Sequence, residues 1–303
     1  MSQRHLQSLF RPTSIAVIGA SERPHSVGAV VMRNLLQGRF SGPIMPVNPK
    51  YKSVAGVLAY PDAASLPMAP DLAVICTPPA TIPGLIADLG QRGTHAAIVL
   101  TAGLSHAKLA DGRSIQQAML DAARPHLLRI LGPNCVGLLV PGIGLNASFA
   151  HESASDGRIA FVSQSGALCT IVLDWARSNG IGFSHFISLG DSADVDFGDA
   201  LDYLASDGKT RAILLYVEAV THARKFMSAA RAAARIKPVM AVKSGRVAEA
   251  AAAAASHTGA LAGGDDVISA AFRRAGIVRV DGVMALFETA EALGRSRRLS
   301  GER

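Results

Sequence analysis

One histidine stands in a setting that suits group transfer. Ser256-His257-Thr258-Gly259-Ala260-Leu261-Ala262-Gly263 places an imidazole among small residues, directly after an alanine run at 250–255. A histidine so placed can swing, and nothing bulky shields its ring. Imidazole is nucleophilic near neutral pH, so it can accept a group in one place and deliver it in another. The same stretch also fits a loop histidine with no task, and the rest of the chain must separate the two.

Two further groups suit such a histidine. Ser163-Gln164-Ser165-Gly166 follows an apolar run and opens a helical pattern. Unpaired N–H groups at a helix start, the helix dipole and two hydroxyls would seat a phosphate. Plain N-capping by Ser165 explains the same residues. Glu218 follows the apolar Ile213-Leu214-Leu215-Tyr216-Val217. A carboxylate there can take a hydrogen bond from one imidazole nitrogen and leave the other as nucleophile. The ordinary alternative is a solvated acid at a strand end.

The elements that would position these groups alternate along the chain. Short apolar runs at 14–18, 44–47, 72–76, 96–100 and 129–131 read as buried parallel strands. Helical patterns at 28–36, 81–92 and 114–123 separate them. A second series puts strands at 159–162, 183–188, 212–217, 239–242 and 277–280, with helices at 167–178, 197–205, 223–234, 265–275 and 283–293. The prediction is α/β with two mostly parallel sheets: a Rossmann-like domain at 1–140, a Gly/Ser/Asn/Pro-bearing linker at 141–158, a second α/β domain at 159–294 and a basic tail at 295–303.

Ligands of open α/β sheets sit beyond the carboxyl ends of the strands, and the strand ends carry suitable residues. Gly19, Ala20 and Ser21 end the first strand and Gly28 opens a helix, a turn that can hold phosphate, although the spacing is too long for G-x-G-x-x-G. The second strand ends in Asn48-Pro49-Lys50, where a nicotinamide site usually has an acid. Lysine there favours a phosphorylated ribose. Cys76-Thr77-Pro78, Thr101-Ala102-Gly103 and Gly132-Pro133-Asn134-Cys135 end the other strands. Ser188-Leu189-Gly190-Asp191 and Lys243-Ser244-Gly245 do so in the second domain, and are expected to converge with Gln164, Glu218 and the His257 loop.

Bulk properties exclude several classes. The 303 residues suffice for two domains, and 49% hydrophobic with 17% charged residues describes a globular chain. No apolar run reaches the roughly 20 residues of a membrane helix, and the first residues lack an apolar signal core, so a cytoplasmic protein is expected. The net charge of +7 is scattered and only 5% of residues are aromatic, which argues against nucleic acid. Cys76, Cys135 and Cys169 read as reduced buried thiols. His95, His106, His126, His151, His185 and His222 show no metal-ligand spacing and read as surface or satisfied core. Asp196 and Asp199, within a cluster with Asp191 and Asp194, read as helix-start charges, so no metal is expected.

Five motifs in order give the chain a resemblance. Ser14-Ile15-Ala16-Val17-Ile18-Gly19-Ala20-Ser21, Asn48-Pro49-Lys50, Gly132-Pro133-Asn134-Cys135, Ser163-Gln164-Ser165-Gly166 and Ser256-His257-Thr258-Gly259-Ala260 resemble the CoA-binding and catalytic-histidine portion of the NDP-forming acyl-CoA synthetases. That superfamily takes in succinyl-CoA synthetase alpha subunits and ADP-forming acetyl-CoA synthetases. The likeness runs over about residues 9 to 293 and implies a flavodoxin-like second domain.

The resemblance implies that His257 is phosphorylated, that Glu218 holds its imidazole and that the helix start at Ser163, Gln164, Ser165 and Gly166 holds the phosphoryl group. Coenzyme A would lie against Gly19, Ala20, Ser21, Val27, Asn48, Pro49 and Lys50. Cys76, Thr77, Pro78, Thr101, Ala102, Gly103, Asn134 and Cys135 would complete its site. The implied reaction is acid + CoA + ATP giving acyl-CoA + ADP + phosphate, reversibly, through an acyl phosphate. The chain shows no candidate ATP-grasp domain. ATP/ADP and Mg2+ would therefore bind a partner subunit, or a further domain of a longer polypeptide, and an oligomer is implied. Two alternatives remain at this level: a non-catalytic CoA- or acyl-CoA-binding regulatory module of an acetyltransferase-type protein, and an NAD(P)-dependent oxidoreductase, which leaves the His257 loop unexplained.

Overall fold

The structure is a computed structural model and describes residues 4–244 and 265–295. His257, the alanine run and residues 296–303 of the expected basic tail lie outside the described residues.

The first sheet grows from short strands that are buried on both faces. After α1 (Leu6–Phe10) come β1 (Ile15–Ile18), α2 (Val27–Gln37) and β2 (Ile44–Val47), then a small hairpin, β3 (Ser53–Val54) and β4 (Val57–Leu58). Next are β5 (Leu72–Ile75), α3 (Ile82–Gln91), β6 (Ala96–Val99), α4 (Ile115–Ala123) and β7 (Arg129–Leu131). β1, β5 and β6 are buried at every position, as strands covered by helices on both sides must be. Serine caps set two of the helix starts: Ser26 accepts from Ala29 N–H and Ser114 from Gln117 N–H.

The second sheet contains β8 (Gly137–Val140), β9 (Leu145–Ser148), β10 (Ser155–Ser163), β11 (Gly182–Ser188), β12 (Ala212–Val217), β13 (Val239–Lys243) and β14 (Val278–Arg279). Its helices are α5 (Gly166–Ser178), α6 (Phe197–Ser206), α7 (Ala223–Ile236), α8 (Asp265–Ala275) and α9 (Val283–Arg295). The sheet orders are β2-β1-β5-β6-β7 and β14-β13-β12-β10-β11-β8-β9. Numbering the parallel strands of each sheet in chain order, both are wound 2-1-3-4-5. Each sheet therefore reverses direction once, between β1 and β5 in the first and between β10 and β12 in the second, and a crevice opens at such a reversal.

The stretch 141–158, expected as a linker, is regular structure. Pro141–Ile143 is a 3-10 turn joining β8 to β9 in an antiparallel hairpin, and β10 already begins at Ser155. Pro and Gly here make a hairpin turn, not a flexible tether. β8 adds to β11 antiparallel, pairing Leu139 with Phe186. The hairpin is also tied to the first sheet's helix. Asn34 of α2, only 5% exposed, donates from Nδ2 to the carbonyls of Ser148 (2.9 Å) and Ala150 (2.8 Å).

The two sheets share a core. One buried apolar cluster runs from Val17, Leu72 and Ile98 through Leu138 to Val162 and Ile213. A strap of backbone bonds adds to it: Asp191 N–H to Pro133 O (2.9 Å), Ala193 N–H to Gly132 O (3.0 Å) and Val195 N–H to Ile130 O (3.0 Å). Arg129 pairs with Asp194 at 2.9 Å and Asp199 at 3.0 Å, and Lys225 pairs with Asp196 and Asp199. Asp196 and Asp199 form the capping box of α6. Asp194, Asp196 and Asp199 are thus spent on a helix start and two cations.

His185 departs from the expected satisfied core. It is 1% exposed, and neither ring nitrogen has a hydrogen-bond partner; the nearest carboxylate oxygen, of Asp207, is 3.8 Å from Nδ1. Burial lowers its pKa from 6.5 to about 4. The folded ring stays neutral down to that pH, whereas the unfolded ring takes up a proton near 6.5. Its contribution to stability is whole above pH 6.5 and is lost as pH falls towards 4, by about 3 kcal/mol. Urea midpoints measured across that window should fall, and His185→Leu should flatten this part of the slope.

Candidate active site

The carboxyl ends of both sheets open into one cavity of about 780 Å³. On the first side, the turn after β1 is held tightly. An added Cβ on Gly28 would lie 2.0 Å from Gly19 O, so α2 can start against the turn only without a side chain there. Ser21 Oγ accepts from Arg23 N–H (3.0 Å), which fixes the loop that presents Arg23. Thr77, past β5, has its carbonyl bonded by Thr101 Oγ1 at 2.7 Å and its hydroxyl by Thr81 Oγ1 at 2.8 Å. Asn134 has a positive φ of 57°, with its N–H on Thr101 O (3.1 Å) and its Nδ2 on Asp191 Oδ1 (3.0 Å).

On the second side Gln164 is the keystone. Its Oε1 accepts from Glu218 N–H at 2.8 Å and Ala219 N–H at 2.9 Å. One side chain thereby joins the loops after β10 and β12 across the sheet's reversal. Ser165 caps α5, accepting from Leu168 N–H at 3.3 Å. Gly166 and Ala167, which line the cavity, occupy the first two helical positions, whose N–H groups have no acceptor within a helix. With the dipole behind them, they suit an anion.

The predicted residues divide accordingly. Val27, Cys76, Thr77, Pro78, Thr101, Ala102, Asn134 and Cys135 line the cavity from the first sheet. Gln164, Ser165, Gly166 and Glu218 line it from the second. Gly19, Ala20, Ser21, Asn48, Pro49, Lys50, Gly103 and Ser163 are not among its lining residues. Asn48 instead ties the β2 loop to the β1 turn, donating to Ala20 O at 2.7 Å and accepting from Lys50 N–H at 3.0 Å. Ser163 is fully buried, and its hydroxyl is used on the backbone of Ser165. Arg23, Leu100, Val136 and Phe149 line the cavity without having been foreseen, as do Ala167, Gly190, Asp191, Ala219 and Thr221 as site residues. Gly190 and Asp191 were visible as a strand end, whereas Phe149 carries no motif.

Cys76 and Cys135 both line the cavity, but only Cys76 is partly exposed; Cys135 and Cys169 are buried. Burial pushes the Cys76 and Cys169 thiols up to about 12, and that of Cys135 up as well. All three remain thiols, so none is a thiolate nucleophile at neutral pH. Among the described residues no group of three or more His, Cys, Asp or Glu is placed to hold a metal ion, and no helix is long and apolar enough to cross a membrane.

Residues 13–141 match the CoA binding domain family, and residues 156–293 match the succinyl-CoA ligase like flavodoxin domain. The ADP-forming acetate–CoA ligase I of Archaeoglobus fulgidus is 40% identical over 293 residues, covering 97% of this chain and 42% of that protein. The alpha subunit of ADP-forming acetate–CoA ligase I from Pyrococcus furiosus is 38% identical, covering 95% of this chain and 63% of that one. A solved dinucleotide forming acetyl-coenzyme A synthetase 1 of Ca. Korarchaeum cryptofilum, in complex with phosphate and ADP, superposes with a TM-score of 0.92 at 35% identity. The match covers 98% of this chain and 64% of that one. The fold and cavity thus define a CoA-binding domain joined to a succinyl-CoA ligase-like flavodoxin domain. The chain belongs to the superfamily of NDP-forming acyl-CoA synthetases, and spans less than two thirds of the length of each of these relatives.

Proposed function

We propose that this chain is the CoA-binding and phosphohistidine-bearing part of an ADP-forming acyl-CoA synthetase. The observation that carries the reading is the single cavity into which both sheet reversals open, with Thr77 and Asn134 on one side and Gln164, Gly166 and Glu218 on the other. Coenzyme A would enter from the first sheet and bring its thiol to an acyl phosphate whose anionic end rests on Gly166 and Ala167 N–H. The thiol sulfur attacks the acyl carbon, the C–O bond to phosphate breaks, and phosphate remains on the helix start. The acyl phosphate itself forms when phospho-His257, charged by ATP on the partner with Glu218 orienting the imidazole, passes its phosphoryl group to a carboxylate oxygen of the acid and is freed. In the reverse direction phosphate attacks the thioester, and His257 carries the phosphoryl group from the acyl phosphate to ADP. The names of the relatives, for ADP-forming acetate–CoA ligases, and a neighbour solved with phosphate and ADP support this reading.

An ATP-grasp subunit or domain would supply the nucleotide and Mg2+ site, in an oligomer working in the cytoplasm. The test combines the chain with such a subunit and γ-labelled ATP. Acid-labile label is expected on the wild-type chain, and none above background on His257→Ala. Equal labelling of the variant would remove His257 from its proposed role.

A further inference from the structure

We infer that Phe149 is the wall of an acyl subsite, and that this subsite takes the apolar chain of a monocarboxylic acid. The inference rests on the function proposed above for the same cavity. Phe149 is a large apolar side chain left 37% exposed, and it faces the cavity. An exposed aromatic on a loose loop would mean little, but this backbone is pinned. Phe149 N–H donates to Val136 O at 3.1 Å. The carbonyls on either side of it, of Ser148 and Ala150, both accept from the buried Asn34 side chain. Ala150 N–H is bonded to Ser148 Oγ at 3.3 Å. The segment therefore needs no further partner, and the ring is held as an ordered apolar surface.

That surface adjoins the anion seat. Val136 Cγ2 lies 3.3 Å from where a Gly166 Cβ would stand, so the wall begins at the first residue of α5. An acyl phosphate anchored on the Gly166 and Ala167 N–H groups would lay its chain along Val136 and Phe149. Among the described residues that line the cavity, Arg23 is the one Lys or Arg, and it stands on the β1 side. Among the described residues a second carboxylate against the ring would meet no cation there, and it would share the cavity with Asp191 and Glu218. Desolvating it unpaired is costly, so the geometry selects against dicarboxylic acids.

The chain can be titrated calorimetrically with CoA, hexanoyl-CoA and succinyl-CoA. Hexanoyl-CoA should bind about ten-fold more tightly than succinyl-CoA. Phe149→Ala should lower the ratio of hexanoyl-CoA to CoA affinity by about five-fold, and Phe149→Leu, which keeps an apolar wall, by less. Thermal midpoints for the three chains report folding separately. An unchanged ratio in a folded Phe149→Ala, or succinyl-CoA bound as tightly as hexanoyl-CoA, overturns the subsite. Failure of the wild-type chain to bind CoA at all instead overturns the proposed function, and the subsite with it.

Discussion

Gln164→Glu should leave the fold intact and slow phosphorylation of the chain by about 100-fold. The glutamine oxygen accepts two backbone N–H groups, of Glu218 and Ala219. A carboxylate in its place accepts the same two, so the loops after β10 and β12 stay joined. What changes is charge: a full negative charge then stands beside the helix start proposed to hold the phosphoryl group, and like charges there repel at short range. Gln164→Ala acts by another route. It leaves both N–H groups to water in the cavity, costs about 1 kcal/mol of stability and frees the Glu218 loop. Phosphorylation should slow in both variants, but only the alanine variant should lose thermal stability. A glutamate variant labelled at the wild-type rate would show that the anion does not rest at this helix start.

Gly190→Ala should cost about 3 kcal/mol in urea unfolding and should also weaken CoA binding. Gly190 has a φ of +56°, and an added Cβ would lie 2.2 Å from Pro133 O and 2.5 Å from Asn134 O. Both atoms are backbone, so neither can swing aside. The strap that begins at Asp191 N–H would part, and with it the bond from Asn134 to Asp191 across the cavity. Gly180→Ala is the matched control. Its φ is +65° and nothing lies within 4 Å of the added atom, so it should show only the left-handed backbone cost of about 1 kcal/mol. Equal losses in the two variants would mean that contact across the strap contributes nothing.

Much of the architecture could be read from residue pattern because parallel strands covered on both faces are continuous apolar runs. The runs at 44–47, 129–131 and 212–217 are the bounds of β2, β7 and β12. The early part of β10 escaped because Ser155-Asp156-Gly157-Arg158 is polar and mostly exposed, and its pairing with β11 shifts register before Ile159. The β8–β9 hairpin escaped for the opposite reason. Leu145-Asn146-Ala147-Ser148 is buried throughout, polar residues included, and its turn residues imitate a linker. At the cavity, the strand-end rule reached Thr77, Asn134, Gln164 and Glu218. It also collected Lys50, which lies past β2, the sheet edge farthest from β6 and β7. No local rule could reach Phe149, whose place is set by a side chain of α2 more than a hundred residues earlier.

The repeated winding of the two sheets has a further effect. A substrate lying across their boundary meets main-chain amides and loop turns at either extremity, while its middle passes over segments that belong to neither reversal. On the proposed function such a chamber would work as a ruler: a compound too short to reach from the Thr77 turn to Gly166 would forfeit one of its two handholds. Reach, before any chemistry, would then sort what is retained long enough to react.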